Sequence, residues 1–94
     1  MYASIRRYRV EAKNLDTILE RLPGAVEVIS KLPGFEAYYA VRGEAGTFAT
    51  VSVFSDRAAA DHSIETASRW AREHLAGLLS GPPEVVVGEV VAHK

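Results

Sequence analysis

The chain has 94 residues and not one cysteine. That absence excludes disulfides, thiolate catalysis and cysteine metal sites together. It also fits a reducing compartment, so a cytoplasmic location is expected. An excess of one charge sign is missing too: 11 Lys and Arg stand against 12 Asp and Glu, a formal net charge of -1. Nothing in that balance draws in nucleic acid or an anionic membrane, and neither is expected as a partner. No apolar run approaches the length of a membrane span. The opening Met1-Tyr2-Ala3-Ser4-Ile5-Arg6-Arg7 turns charged too soon for a signal peptide. Glycine and proline are few and sit in turns rather than in a phosphate-cradling loop. A chain of this length predicts one domain, residues 1–94.

What is present is hydrophobic patterning. Hydrophobic residues make up 48% of the chain, an ordinary globular share. Tyr2 to Glu11 reads as a strand. Asn14 reads as a helix N-cap, followed by Leu15, Ile18, Leu19, Leu22, Val26 and Ile29 at helical spacing. Pro23-Gly24 inside that pattern predicts a kink or a break, and Pro33-Gly34 ends the helix. Phe35–Arg42 and Thr47–Phe54 read as strands joined by the hairpin loop Gly43-Glu44-Ala45-Gly46. Ser55 or Asp56 caps a second helix with the stripe Ala60, Ile64, Ala67, Ala71, Leu75 and Leu78. Gly81-Pro82-Pro83 stops it, and a valine-rich strand runs from Glu84 to His93.

The order β-α-β-β-α-β predicts an α+β, ferredoxin-like sandwich, with both helices on one face of a four-stranded antiparallel sheet. The other face has nothing in the chain to cover it. A solvated face reads polar at every second position, yet every strand carries apolar residues on both. In the second strand Phe35, Ala37, Tyr39 and Val41 oppose Glu36, Tyr38, Ala40 and Arg42, and in the third Ala49, Val51 and Val53 oppose Phe48, Thr50, Ser52 and Phe54, so either face holds apolar side chains. Such a surface exceeds what monomers usually expose. A homodimer packed through the open sheet face is therefore expected. Arg7, Tyr38, Thr50, Ser52 and Glu89 are assigned to that face, which makes it mixed in character.

Several segments carry a resemblance. They are Ile5-Arg6-Arg7-Tyr8, Leu32-Pro33-Gly34-Phe35-Glu36-Ala37 with Tyr39, Val51-Ser52-Val53-Phe54-Ser55-Asp56, Trp70-Ala71-Arg72-Glu73-His74-Leu75 and Gly81-Pro82-Pro83-Glu84-Val85. Over nearly its whole length the chain resembles the antibiotic-biosynthesis-monooxygenase-like family of dimeric α/β barrels, and most of all its uncharacterised small bacterial members. Barrels of this kind serve cofactor-free monooxygenases, haem-degrading enzymes, isomerases and ligand-sensing domains, so the resemblance implies a fold more than an activity. It implies a pocket between helices and sheet, which a helix tryptophan can line. The haem-degrading relatives pair a first-strand Asn with a helix Trp and a more distant His. Here the first strand has no Asn and His74 lies one turn from Trp70, so no cofactor is expected.

The residues that could carry chemistry are Trp70, His74, Arg6 and Tyr8. Trp70 and His74 are neighbours on one shoulder of the second helix's stripe. Trp70 either packs with its N–H satisfied or stacks a substrate ring. His74 is either a base near neutral pH or a histidine favoured by the helix C-terminus. Arg6 and Arg7 point to opposite faces of the first strand. Arg6, placed under the helices with Tyr8, either binds a carboxylate or phenolate or lays its stem on the edge and its head in water. The three histidines lack metal-ligand spacing, and no metal is expected. Three functions compete: a cofactor-independent monooxygenase for a small aromatic or polyketide-like compound, a non-catalytic dimer that binds a small molecule, and a structural dimer with a filled core.

Overall fold

A computed structural model describes residues 1–94. The elements follow in the order β1 (Tyr2–Arg9), α1 (Ala12–Ser30), β2 (Phe35–Arg42), β3 (Thr47–Phe54), α2 (Arg57–His74) and β4 (Glu84–Glu89). The strands form one antiparallel sheet in the spatial order β2-β3-β1-β4. Both helices lie on the same face of it, the ferredoxin-like arrangement that the element order predicts.

The first helix departs from expectation at three points. It begins at Ala12, so Asn14 is an interior residue; the cap position is Glu11, with extended backbone and no side-chain cap. The Asn14 amide instead donates to the Leu78 carbonyl at 3.4 Å, tying α1 to the loop after α2. Pro23 does not break the helix, which runs unbroken to Ser30. Its buried stripe Leu15, Ile18, Leu22, Ala25 and Ile29 passes on both sides of the proline. Burial of these side chains outweighs the lost hydrogen bond. Ala25 takes the inward position expected for Val26, which stays on the surface.

In α2, Asp56 accepts from the Ala59 N–H at 2.8 Å, the expected cap. The buried face is Ala60, Ser63, Thr66, Trp70 and Ala71. It is rotated towards α1 relative to a stripe through Ile64 and Ala67. The helix stops at His74, one residue before Leu75, and Gly77 adopts a positive φ of 79° in the turn that follows. The last strand is shorter than its valines suggest. Glu89 pairs with Tyr2, at the start of β1, so no partner strand extends beyond it. Val91 is left 90% exposed.

Gly34 shows why Pro33-Gly34-Phe35 closes the layers. Its φ of +82° suits glycine alone, and a Cβ there would meet Ser55 Oγ at 2.8 Å and Ala59 Cβ at 3.0 Å. The Ser55 N–H donates to the Gly34 carbonyl at 2.8 Å, which fixes the start of α2 against the start of β2.

The register corrects the assignment of faces. Tyr38 stands opposite Ser52, and Arg6 opposite Thr50. All four therefore share the helix-covered side with Ser4 and Tyr8. Glu89 follows the same alternation through Tyr2. Of the residues assigned to the open face, Arg7 alone lies there. A bulge between Phe35 and Ala37 turns Phe35 to the covered side, where its ring meets Phe54 edge-on at 5.9 Å. The open face is consequently apolar at its centre, with Ile5, Tyr39, Val41 and Val86 exposed around half-buried Val51 and Val53. Arg7 and Glu84 stand opposite each other at one end.

Candidate functional site

The covered side of the sheet is unusually polar for a surface under helices. Ser4, Arg6, Thr50 and Ser52 are all at least nine-tenths buried there, with Tyr8 and Phe48 beside them. β1 and β3 place these side chains by alternation, since residues two apart point the same way. The Tyr8 and Phe48 rings stack at 4.6 Å and 4°. Packing of that kind holds the phenol in one orientation.

Arg6 is 4% exposed. Its Nε donates to the Tyr8 hydroxyl at 2.9 Å. Nη1 donates to the Ile64 carbonyl of α2 at 3.3 Å, and both Nη1 and Nη2 reach Ser68 Oγ at 3.3 Å. Each of these acceptors is neutral. The ion pairs of the protein lie on its surface, and none includes Arg6. A charge taken out of water without a counter-charge is costly, even when neutral oxygens solvate it.

Two spaces meet at this arginine. One is a narrow cavity of about 20 Å³ lined by Arg6, Tyr8, Tyr38, Thr50, Trp70 and mostly apolar neighbours. It has room for about one water and none for a ring. The other is a groove of about 560 Å³, open to solvent, between α2 and the loop that follows it. Arg6, Tyr8, Ser68, Arg72, Leu75 and Leu79 line it, with Pro82 and Pro83 at its lip. That volume falls in the range of small-molecule sites. Arg6, Tyr8, Ala71 and Leu75 border both spaces and so form the wall between them.

Arg6 and Tyr8 are thus together at the groove. Trp70 is 8% exposed and lines the narrow cavity behind them, not the groove. Gly24 of α1 lies against its indole; a Cβ there would stand 3.5 Å from the ring. His74 stacks on Trp70 at 4.9 Å and 14° and its Nδ1 lies 3.0 Å from the Trp70 carbonyl. It is exposed and lines neither space. The Arg21 guanidinium donates to the His74 carbonyl at 2.6 Å, satisfying the end of α2.

Tyr38 shares the narrow cavity. Burial raises its phenol pKa above the ordinary value; a hydrogen bond with Thr50 opposes the rise, Tyr8 adds to it and Arg6 opposes it. The group is therefore a neutral hydrogen-bonding phenol at physiological pH rather than a base. Sequence reasoning does not single out Ser68 and Arg72, and it assigns Tyr38 and Thr50 to the open face instead of to this site. For Ser68 and Arg72 the signal was their spacing of four on α2, which stacks them one turn apart on the side facing β1.

A four-stranded antiparallel sheet roofed by two helices, with a solvent-open groove beside the second, defines a ferredoxin-like α+β protein. The chain belongs to the antibiotic biosynthesis monooxygenase family, whose sequence profile matches residues 1–69. Its fold is similar to that of NE2512, a protein of unknown function from Nitrosomonas europaea, at 22% identity and a TM-score of 0.85 over 99% of this chain and 91% of that one. It is similar to SnoaB, a cofactor-independent oxygenase from Streptomyces nogalater, at 14% identity and a TM-score of 0.76 over 98% and 94%. A variant of MhuD with two manganese protoporphyrin IX molecules per active site is similar at 17% identity and a TM-score of 0.79, over 100% and 98%. Identities this low carry the fold alone. No curated protein matches the chain. No helix is long and apolar enough to cross a membrane.

Proposed function

We propose that the protein is a cofactor-independent monooxygenase for a small aromatic or polyketide-like compound, bound in the groove beside α2. The observation that carries this reading is Arg6, a buried cation with no counter-charge, held against the Tyr8 hydroxyl at the inner end of that groove. Such a pair stabilises negative charge on a substrate oxygen, which is what activates an electron-rich ring or enol towards dioxygen. Loss of a proton to solvent at the open groove gives the substrate anion. Its carbon bonds to dioxygen, the O–O bond breaks, and a CH₂ group and O₂ become a carbonyl and water. The substrate supplies all the electrons. Membership of the family and the likeness to SnoaB support this reading.

Arg6 and Tyr8 are the groups in contact with substrate. Trp70 backs them from the narrow cavity, and His74, stacked outside it, positions the indole. Haem fits poorly: no histidine lines the groove or the cavity to ligate iron. The apolar open face packs against a second copy across a two-fold axis, and a cytosolic location suits the cysteine-free chain.

Oxygen uptake with a hydroquinone-type substrate tests the activity. Uptake that falls at least tenfold in Arg6→Ala and in Trp70→Phe supports the site, whereas uptake unchanged in both rejects it. Ligand retention with no oxygen consumed and no product selects the second reading, a non-catalytic binding dimer, which the same groove would serve.

A further inference from the structure

Arg6 also carries information about the ligand's charge. Its guanidinium has five N–H donors, and its protein contacts use Nε once, Nη1 twice and Nη2 once. One Nη2 hydrogen is left over. The Tyr8 and Ser68 hydroxyls accept from Arg6 and donate to no protein oxygen. Three unspent donors therefore surround one buried positive charge. Farther along the groove stands Arg72, exposed and in no ion pair. No Asp or Glu lines the groove. The apolar part of the lining is Ala71, Leu75, Leu79 and the two prolines, with Ala76.

From this arrangement we infer that the groove takes an organic monoanion whose charge is spread over two oxygens, a carboxylate or the enolate of a 1,3-dicarbonyl compound, on an apolar body. The inference rests on the groove being the binding site, as in the function proposed above. The two oxygens take the spare Nη2 hydrogen and the Tyr8 and Ser68 hydroxyls. One charged N–H and two hydroxyl donors aimed at the same place match the two oxygens of a delocalised anion better than a single neutral hydroxyl. The apolar body lies along Leu75 and Leu79 towards the proline lip. Arg72 at the rim attracts the anion and is screened by salt. The Arg6 side is buried and is screened much less.

Isothermal titration calorimetry tests the inference without reference to turnover. The probes are 1-naphthoate, the enolate of 1,3-indandione, and neutral methyl 1-naphthoate. One or both anions bind, at least tenfold more tightly than the neutral ester. Which of them binds separates the carboxylate from the enolate. Arg6→Met, which keeps the length and apolar stem, weakens the anion at least thirtyfold and leaves the ester unchanged. Arg72→Ala weakens the anion several-fold at low salt and hardly at all at high salt. Failure of both anions to bind overturns the inference, as does an ester that binds as well as the anions. Anion binding with no oxygen consumption leaves the inference standing and removes the monooxygenase. Oxygenation of a neutral substrate that neither anion inhibits does the reverse.

Discussion

The two faces of the sheet have their polarity inverted. The face covered by helices carries Ser4, Arg6, Thr50 and Ser52, all buried. The face covered by nothing carries Ile5, Tyr39, Val41 and Val86, all exposed. A sheet that served only to fold this chain would be built the other way round. Polar groups kept under helices, at a cost in desolvation, point to a site. Apolar groups kept in the open point to a partner surface. The side of the sheet where chemistry is sought therefore follows from which face holds the unexpected residues.

The comparison breaks most visibly at Phe48, which is 1% exposed and anchors the covered face. Phe48→Ala is expected to lose about 3–5 kcal/mol of stability, read by urea denaturation. A loss under about 1 kcal/mol would mean that this layer is not tightly packed. The second largest effect belongs to the open face. Val51→Asp places a charge at its centre and is expected to convert a particle of about twice the 10.2 kDa chain mass into a monomer, measured by light scattering at micromolar concentration. A wild-type protein already monomeric would remove the partner surface altogether.

Arg6→Met sharpens the contrast between folding and function. Replacing this buried charge by an apolar side chain of similar length removes its desolvation cost and leaves the Ile64 carbonyl and Ser68 without a donor, two effects that oppose each other. Thermal unfolding of this variant is expected within about 1 kcal/mol of wild type, or above it. A loss of more than about 3 kcal/mol would make Arg6 a structural residue.

The smallest effect concerns Tyr38. Its phenol holds the proton more tightly in the folded chain than in the unfolded one, so its contribution is full below the unfolded value of about 10 and is lost as pH rises past it. Tyr38→Phe is expected to flatten the alkaline limb of the stability curve above about pH 10 and to leave the limb near neutrality unchanged. An unaltered alkaline limb would mean that Tyr38 titrates as an exposed tyrosine does.

Much of this was legible in the residues. The element order, the Asp56 cap and the loop Gly43 to Gly46 follow from local signals, and the pairing of Arg6 with Tyr8 follows from strand periodicity. The face of β1 was legible, with Arg6 and Tyr8 under the helices and Arg7 outside, but the faces of β2, β3 and β4 were not. Alternation sorts Thr50 and Ser52 away from Val51 and Val53, but it does not say which set the helices cover, and hydrophobicity gives the opposite answer here. The Phe35 bulge was hidden for a related reason, because a single inserted residue reverses the alternation before it without changing composition. Pro23 misled because tertiary burial of Leu22 and Ala25 overrides a local penalty. The groove needed the loop after α2 in place, since Leu79, Pro82 and Pro83 meet Arg6 only through the fold.

The division of labour between the two faces is tested most directly by NMR. Backbone amide and Arg Nε shifts are followed as 1-naphthoate is added to the wild-type protein. Shifts confined to Arg6, Tyr8, Ser68 and Leu75, with Ile5, Val51 and Val86 unmoved, are the expected result. Shifts centred on Ile5, Val51 and Val86 would contradict it, because the apolar face would then be the ligand site and the buried arginine a structural residue.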